Sequence, residues 1–386
     1  LLGFPGNLER LKISFSLCLH LEYFQNLKVI KVADPMNGFH ILSLIFLFSI
    51  CTLIWKVQGD CPIAQYMVEQ SNRIFTYRDP SGSLQLQRKE TVPSGVTLLM
   101  YCNPSDMVET LCQDNGQFSV PLPMMCGNPM QPMATRIRDG ECSGTLYSIG
   151  YTIDGKNLEL YRTCFDVGQG RVVYSQSDVY FKTFFPKRPF VDFVTDEMFS
   201  PQEAAAYMKS NIYFAFKCIY GDDQSYLRSP NDLVINRGHM VASADFLFVD
   251  QMGSTFRYLN VVPQFKSIND GNWEKIERWV RSQIPQSSYF RIKTGGIGIL
   301  ALPDARGFSQ SAFLAGSKIP VPEWTYKVVR DASGNGLYVF VTYNNTFRRE
   351  RPQCLDICHQ VNCPFGLPNS PDDGFTFCCD PSQFPF

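Results

Sequence analysis

Cysteines are concentrated towards the two ends of the chain. Five lie in residues 61–142 and five in residues 354–379, whereas the long section between them contains only Cys164 and Cys218. Short cysteine-rich segments that lack helical periodicity are typically held together by disulfides, which persist in oxidising, extracellular environments. The distribution therefore predicts a longer middle domain with a disulfide-stapled segment on each side.

The amino-terminal part has the pattern of a secretion signal. An apolar run from Phe39 to Trp55 is followed by a small residue, Gly59, at a candidate cleavage point. A run of about 17 apolar residues is also the lower limit for spanning a bilayer, so a signal anchor is the alternative. We predict that residues 36–59 are a signal peptide. Residues 1–35 are predicted to be non-native sequence, translated from upstream of the true start.

The chain that would remain after cleavage is close to neutral. Residues 1–59 hold five basic and three acidic side chains, which leaves 30 basic and 33 acidic residues and a net charge of −3. Twelve cysteines remain, an even number that predicts full pairing in an extracellular protein. Such a chain cannot coat nucleic acid through its overall charge, although a local basic groove is compatible with it. We predict a secreted protein without stable membrane association.

Three regions follow the predicted signal. Residues 60–145 combine cysteines with Pro, Gly and Asn and with short strand-like runs, which predicts a small β module. Its predicted role is to stabilise or pack against the main domain, with substrate recognition as the alternative. Residues 146–353 have the longer α/β pattern of a main domain, and residues 354–386 form a cysteine-rich tail.

Local signals within the main domain predict several elements. Leu158–Phe165 and Leu337–Tyr343 alternate as strands do. Ser200 and Glu203 predict a capping box at the start of a helix. Asn344 begins an Asn-Asn-Thr sequence that is a potential glycosylation site in a secreted chain.

Only two of the four histidines, His239 and His359, lie outside residues 1–59. His359 stands among cysteines whose spacing does not fit haem attachment and predicts disulfides rather than zinc ligation. His239 follows a short β-branched run and comes directly after Gly238, where a missing Cβ permits a close backbone approach. A catalytic imidazole in this chain is therefore predicted at His239.

A helix with one polar, functional face is predicted after this histidine. Four apolar residues recur at helical spacing and mark its buried face: Trp273, Ile276, Val280 and Ile284. Asn269 stands at the helix entrance, and Glu277 lies about 80° around the helix from it, so both can face one site. Arg281 is one turn beyond Glu277 on the same side.

These residues resemble the signature of the DNA/RNA non-specific endonucleases of the ββα-metal type. The matching segments read Asn236-Arg-Gly-His239, Asn260-Val-Val-Pro-Gln264 and Asn269-Asp-Gly-Asn-Trp-Glu-Lys-Ile-Glu277. The similarity covers roughly residues 160–350 and is greatest to the secreted arthropod branch, which includes enzymes that degrade double-stranded RNA. Asn236 stands where the family usually has Asp, which leaves the pH optimum and metal affinity open.

The resemblance implies an α+β fold in which helices flank a central, mostly antiparallel sheet. A ββα-metal site would lie at the edge of the sheet, with a small disulfide-rich β module at the amino terminus. The implied activity is Mg²⁺-dependent hydrolysis of DNA and RNA, single- or double-stranded, with little sequence specificity and with 5′-phosphate products; Mn²⁺ could replace Mg²⁺. The alternatives are a ribonuclease restricted to double-stranded RNA, an inactive nucleic-acid-binding homologue, and a protein whose amino-terminal module alone binds a ligand.

The resemblance also implies the roles of three central residues. His239 would be the general base that deprotonates the attacking water, a role suited to an imidazole near neutral pH. Asn269 would be the direct protein ligand of a Mg²⁺ ion that otherwise keeps its waters. Glu277 would hold one of those waters.

Five further residues are predicted around this centre. Arg188 and Arg281 would contact phosphate, and Asn260 would support the site and contribute to substrate binding. Lys266 belongs to a group of basic residues around the helix that predicts a phosphate groove. Arg237 would either position its strand or contact phosphate as a catalytic cation.

Overall fold

The computed structural model describes residues 59–122, 125–138 and 140–386. The predicted upstream segment and, apart from Gly59, the predicted signal peptide lie outside these residues. Within the described part of the chain, no helix is both long and apolar enough to cross a membrane.

The amino-terminal region consists of short strands and one short helix. In chain order these are β1 (Cys61–Pro62), α1 (Gln65–Glu69), β2 (Ile74–Arg78), β3 (Leu84–Leu86), β4 (Thr91–Val92), β5 (Thr97–Asn103) and β6 (Asp106–Leu111). Four of the strands form an antiparallel sheet in the order β3-β2-β5-β6. Its buried side chains pack with Leu247 and Phe248 of the main domain, so the two regions share a core.

The remaining strands begin shortly before residue 145. They are β7 (Met133–Ile137), β8 (Thr145–Ile153), β9 (Lys156–Asp166), β10 (Arg171–Tyr180), β11 (Ile235–His239), β12 (Val261–Phe265), β13 (Tyr289–Ile297), β14 (Ala301–Pro303), β15 (Ser309–Ser311), β16 (Phe313–Ala315), β17 (Lys318–Pro320), β18 (Trp324–Arg330), β19 (Gly336–Tyr343), β20 (Gln360–Val361) and β21 (Thr376–Cys379). The helices are α2 (Pro201–Ala205), α3 (Lys209–Tyr220), α4 (Val249–Gly253), α5 (Lys266–Ile268) and α6 (Glu274–Ser282).

A nine-stranded sheet forms the centre of the described structure. Its order is β20-β21-β19-β18-β13-β10-β9-β8-β7, and each neighbouring pair is antiparallel. Strand β7, from the region predicted as the amino-terminal module, is one edge, and β20, from the tail, is the other. The α+β fold with a central antiparallel sheet is confirmed.

Helix α6 packs on this sheet through the face that its periodicity predicts. Trp273, Ile276, Val280 and Ile284 are all buried, and they contact apolar residues of β10, β13, β18 and β19. The predicted capping box at Ser200 and Glu203 is also present at the start of α2. Burying this apolar stripe is the driving force that holds the polar face of α6 at a fixed place beside the sheet.

The prediction that all twelve cysteines pair is wrong. Ten of them form five disulfides, Cys61–Cys112, Cys102–Cys126, Cys142–Cys164, Cys358–Cys379 and Cys363–Cys378. Cys218, which is exposed, and Cys354, which is buried, are free thiols among the described cysteines. Burial raises the pKa of the Cys354 thiol to about 11, so it stays protonated and unreactive at neutral pH.

The cysteine-rich tail packs directly on the turn that precedes α6. The backbone N–H of Asn272 donates to the carbonyl of Asp373 over 2.9 Å, and its side-chain amide donates to the carbonyls of Pro368 and Gly374. At Gly271 an added Cβ would lie 2.8 Å from the Cα of Asp373, closer than two such atoms can approach. The tail therefore requires a glycine at this position.

We expect Gly271→Ala to destabilise the protein through this contact. Overpacking a close contact typically costs about 1–3 kcal/mol, because backbone must shift to make room. A thermal unfolding scan should show a midpoint several degrees below that of the wild type. Gly366→Ala is the matched control in the same tail, since its added Cβ meets nothing within 4 Å. Equal midpoints for the two variants would contradict the packing argument.

Candidate active site

A hairpin and a helix carry most of the predicted site residues. Strands β11 and β12 pair antiparallel, with His239 at the end of β11 opposite Val261. The chain then continues through α5 and a π-helical turn, Asn269–Trp273, into α6. Gly238 lies against the side chain of Gln264, where an added Cβ would be 2.7 Å from that residue's Cβ, so the predicted close approach at Gly238 is confirmed.

Asn260 holds the segment behind His239 and does not reach the site. Its side chain is completely buried, and its Oδ1 accepts a hydrogen bond from the Val241 N–H over 2.9 Å. Its amide donates to the carbonyls of Val241 and Thr255. Because every one of these partners is backbone, the prediction that Asn260 binds substrate is corrected: it positions the chain that leads away from the histidine.

Asn344 anchors the hairpin to the main sheet from the other side. Its Oδ1 accepts from the Phe265 N–H, and its amide donates to the carbonyls of Pro263 and Pro322, at 2.9–3.1 Å. The side chain is fully buried. A glycan cannot be attached to an amide enclosed in this way, so the potential glycosylation site is not accessible in the folded protein.

Five of the eight predicted residues line one cavity of about 280 Å³: Arg188, His239, Asn269, Glu277 and Arg281. The same cavity is lined by Pro186, Ala242, Ser243, Ala244, Met252, Asp270 and Glu274. Neither Arg237, Asn260 nor Lys266 is part of this lining. Asn269 and Glu277 therefore face one site, as their spacing along the helix predicts.

The imidazole of His239 packs against a pair of aromatic rings, with centroids 5.5 Å from Phe193 and 5.2 Å from Phe256, which are themselves 5.3 Å apart. Burial and, to a smaller extent, the nearby Arg188 cation lower the pKa of His239 to about 3, against the opposing effect of a hydrogen bond to the Arg237 backbone. Among the described residues its Nε2 is buried and has no hydrogen-bond partner. The ring is therefore neutral at physiological pH and presents an unused basic nitrogen.

Four buried charges lie beneath the cavity. Arg281 forms an ion pair with Asp245 over 2.9 Å, and its guanidinium is 3.9 Å from Glu277. Burial raises the pKa of Glu277, against the opposing effects of Lys327 and Arg281. Burial alone would lower the pKa of Arg281, but Asp245 and Glu277 outweigh it and the net shift is upward.

Lys327 is the fourth of these charges and comes from the middle of β18. It is 1% exposed, donates from Nζ to the Thr294 hydroxyl over 2.9 Å, and lies 5.0 Å from the Trp273 ring centroid. Burial lowers its pKa, although Glu277 and Asp245 oppose the shift. Two cations and two carboxylates thus neutralise one another under the site.

Arg188 is an exposed cation at the mouth of the cavity. Its guanidinium lies over the Phe256 ring, 4.7 Å from the centroid, and the same ring contacts His239. The Asn269 amide donates to the Asp270 carboxylate over 3.1 Å. The cavity therefore combines one exposed guanidinium with amide and carboxylate oxygens, which are the donors that hard divalent cations prefer.

The remaining two predicted residues face elsewhere. The guanidinium of Arg237 lies over the rings of Phe193, Tyr207 and Tyr258, at 5.1–5.4 Å, and donates to the Tyr258 hydroxyl. Of the two roles left open for Arg237, these contacts correspond to positioning its strand. Lys266 pairs with Asp270 on the surface one turn before the cavity.

Sequence reasoning missed Asp245 and Lys327. Each is a single charge within a long uncharged run, Met240–Val249 for Asp245 and Trp324–Val329 for Lys327. A charge inside a run that must be buried requires a partner, because an unpaired ion in the core is very costly. That signal was available from the sequence, although it does not identify which partner is met.

Comparisons with known proteins identify the family of this chain. The profile of the DNA/RNA non-specific endonuclease family matches residues 142–384. A salivary endonuclease of Lutzomyia longipalpis is 29% identical over 253 residues, which are 63% of this chain and 60% of that protein, less than two thirds of its length. Salivary protein Tsal2A of Glossina morsitans morsitans is 24% identical over 355 residues, covering 82% of this chain and 85% of that protein.

Among solved structures, one chain of the EndoG/EndoGI complex is similar at a TM-score of 0.35 and 19% identity, covering 49% of this chain and 74% of that one. The family profile extends over well more than half of the chain and contains every residue of the cavity. The chain belongs to the DNA/RNA non-specific endonuclease family.

Proposed function

We propose that this protein is a secreted, metal-dependent endonuclease that hydrolyses DNA and RNA, including double-stranded RNA, and leaves 5′-phosphate ends. The observation that carries the proposal is the unpartnered Nε2 of a neutral His239 in a cavity shared with Arg188, Asn269 and Glu277. Secretion is supported by five disulfides and by the salivary relatives. Little base selectivity is expected, because the cavity offers groups suited to a phosphate.

Phosphodiester hydrolysis requires an activated water and neutralisation of charge at the phosphate and the leaving oxygen. We assign the first task to His239. Because burial keeps its ring neutral, Nε2 can accept the proton of an attacking water. Phe193 and Phe256 pack together against one side of the ring and limit its movement.

The site residues fit a divalent cation. Asn269, Asp270, Glu274 and Glu277 all line the cavity and offer oxygen ligands, which suit Mg²⁺ and Mn²⁺ better than they suit softer metals. We assign Asn269 as the direct ligand, since its amide nitrogen is held by Asp270, and Glu277 as the acceptor for a metal-bound water. When bound, the cation would stabilise negative charge on the phosphate and the leaving oxygen.

The two arginines would serve the phosphate in different ways. Arg188 is exposed at the cavity mouth and can approach a phosphate directly. Arg281 is committed to Asp245 and lies 3.9 Å from Glu277, so its main contribution is to hold Glu277 charged and in place. The positive potential of Arg188 favours an anionic substrate at this point of the surface, whereas the charge of Arg281 is neutralised by its carboxylate partners.

We expect His239→Ala to lose about 10²- to 10⁴-fold in cleavage rate, the usual contribution of general acid–base catalysis. Plasmid DNA and double-stranded RNA are incubated with each protein, with and without EDTA, and product ends are tested for 5′-phosphate. The chelator should abolish cleavage by the wild type. His359→Ala is the matched control, because His359 lies in the tail and is not part of the cavity.

Undiminished cleavage by His239→Ala would overturn the assignment of the base. Cleavage of RNA alone would narrow the function to a ribonuclease. A wild type that binds both nucleic acids and cuts neither would make this chain an inactive homologue.

A second prediction concerns the metal ligand. Asn269→Ala should weaken Mn²⁺ binding at least about tenfold, because a cation held by one direct protein ligand loses that ligand. Electron paramagnetic resonance of Mn²⁺ reports the bound fraction without any substrate, so the result does not depend on activity. The exposed Asn231→Ala is the control. Wild-type affinity in Asn269→Ala would assign the ligand elsewhere.

A third prediction follows from the lowered pKa of His239. The ring should show no protonation between pH 5 and 8, because burial and Arg188 disfavour the imidazolium. Proton–carbon NMR of the metal-free protein measures this, and comparison with His239→Gln assigns the signal. A titration midpoint near 6.5, the ordinary value of a solvated imidazole, would show that the site is open to water.

A further inference from the structure

The segment between β10 and α2 exposes an unusual combination of side chains. We call residues 182–191 the rim segment. Phe190 is fully exposed, at 104% of its reference area, and Phe185 is 55% exposed. Lys187 and Arg188 stand between these rings in the sequence, and both are exposed. Two exposed phenylalanines with two exposed cations between them are not explained by packing within the protein.

The rim segment is part of the wall of the candidate active site. Pro186 and Arg188 line the cavity together with His239. Lys182 donates from Nζ to the carbonyls of Ala244 and Phe246, and Ala244 lines the same cavity. Phe185 therefore directly precedes Pro186, and Phe190 lies two residues after Arg188, so each ring is close in sequence to a residue that lines the cavity.

Although the rim segment has no regular secondary structure, it is tied down by the amino-terminal region. The Glu90 carboxylate accepts from the N–H and the hydroxyl of Thr183, over 2.9 and 3.1 Å. The Glu69 carboxylate accepts from the Lys187 N–H over 3.1 Å. Beyond the segment, the Val194 N–H donates to the Phe256 carbonyl. These contacts fix the backbone on either side of the two rings.

We propose that Phe190, assisted by Phe185, is a stacking platform for bases of a single-stranded or locally unpaired nucleic acid, next to the phosphate at Arg188. This inference rests on the proposed function and names the form of substrate that the site prefers. Proteins that bind single strands combine basic side chains along the backbone with aromatic rings under the bases, and every base can stack on a ring. In a duplex the bases already stack on one another, so a ring can be used only where a base is unpaired.

The two rings are not equivalent. The ammonium of Lys182 lies 5.0 Å from the centroid of the Phe185 ring and occupies part of its surroundings. Phe190 is the more exposed of the two and follows Pro189, whose ring limits the freedom of the backbone there. We therefore assign the larger part of the stacking to Phe190. A lipid surface is the competing partner for exposed rings beside cations, and the test includes it.

The experiment measures binding of the secreted chain to labelled 12-nucleotide strands by fluorescence anisotropy, with EDTA present so that nothing is cut. One strand carries thymine throughout, the second is abasic throughout, and a duplex of the same length is the third ligand. Phe190→Ala removes the ring, and Phe190→Leu keeps an apolar side chain without it. The matched control is Phe308→Ala, which removes another exposed phenylalanine beside an arginine.

We expect Phe190→Ala to weaken binding of the thymine strand about tenfold, within the range for loss of one stacked base. Phe190→Leu should fall between it and the wild type, and Phe308→Ala should not change. On the abasic strand, wild type and Phe190→Ala should bind equally, because no base remains to stack. The duplex should show a smaller loss than the thymine strand.

Equal affinities of wild type and Phe190→Ala for the thymine strand would overturn the proposal, as would an equal loss on the abasic strand. Phe190-dependent binding to phosphatidylserine–phosphatidylcholine vesicles, without an effect on the strands, would assign the surface to lipid instead. Cleavage with Mg²⁺ is measured separately on the wild type. A protein that binds through Phe190 but does not cut rejects the nuclease function alone, and one that cuts without using Phe190 rejects the stacking alone.

Discussion

The buried ion pair between Arg281 and Asp245 joins the two halves of the candidate site. Arg281 belongs to α6, which carries Glu277, whereas Asp245 belongs to the loop that follows the His239 strand. Burying two charges costs several kcal/mol per ion, and such a pair adds little net stability. Breaking it by removing one partner typically costs about 3–5 kcal/mol, because the remaining charge is stranded. The pair therefore fixes the distance between the His239 strand and α6 more than it stabilises the fold.

The residues that would meet the substrate stand outside the large sheet and depend on the cysteine-rich ends of the chain. The turn that carries Asn269 is held by the tail, through Gly271 and Asn272, and two disulfides hold the tail. The segment that carries Arg188 is held by Glu69 and Glu90 of the amino-terminal region. A disulfide lowers the conformational entropy of the unfolded chain between its two cysteines. Here the segments closed in this way hold the residues of the candidate site in place. This gives the predicted amino-terminal module a geometric role beside its packing role.

Periodicity and the family signature predicted the fold class, the buried face of α6 and the five residues of the cavity, because these depend on local pattern and on motif spacing. They could not place side chains whose orientation depends on distant strands. Asn260 appears in the signature, yet its amide turns inward because unpaired carbonyls of Val241 and Thr255 require a donor. Asn344 matched a glycosylation sequence, but β12 and the segment just before β18 pack on its side chain and enclose it. The two free thiols show that an even cysteine count does not fix pairing, which requires Cα atoms within disulfide reach.

Under the proposed function, Arg188 links substrate binding to the basicity of His239. Its charge lowers the pKa of His239, beyond the effect of burial, and so keeps the imidazole neutral and ready to accept a proton. The same charge makes the ring a weaker base than a solvated histidine. Under the proposed function, a phosphate bound at Arg188 offsets that positive charge and makes His239 more basic at the moment when a proton must be taken up. The four buried charges beneath the cavity cancel in pairs and cannot provide this response, so it requires a cation that is exposed to the substrate.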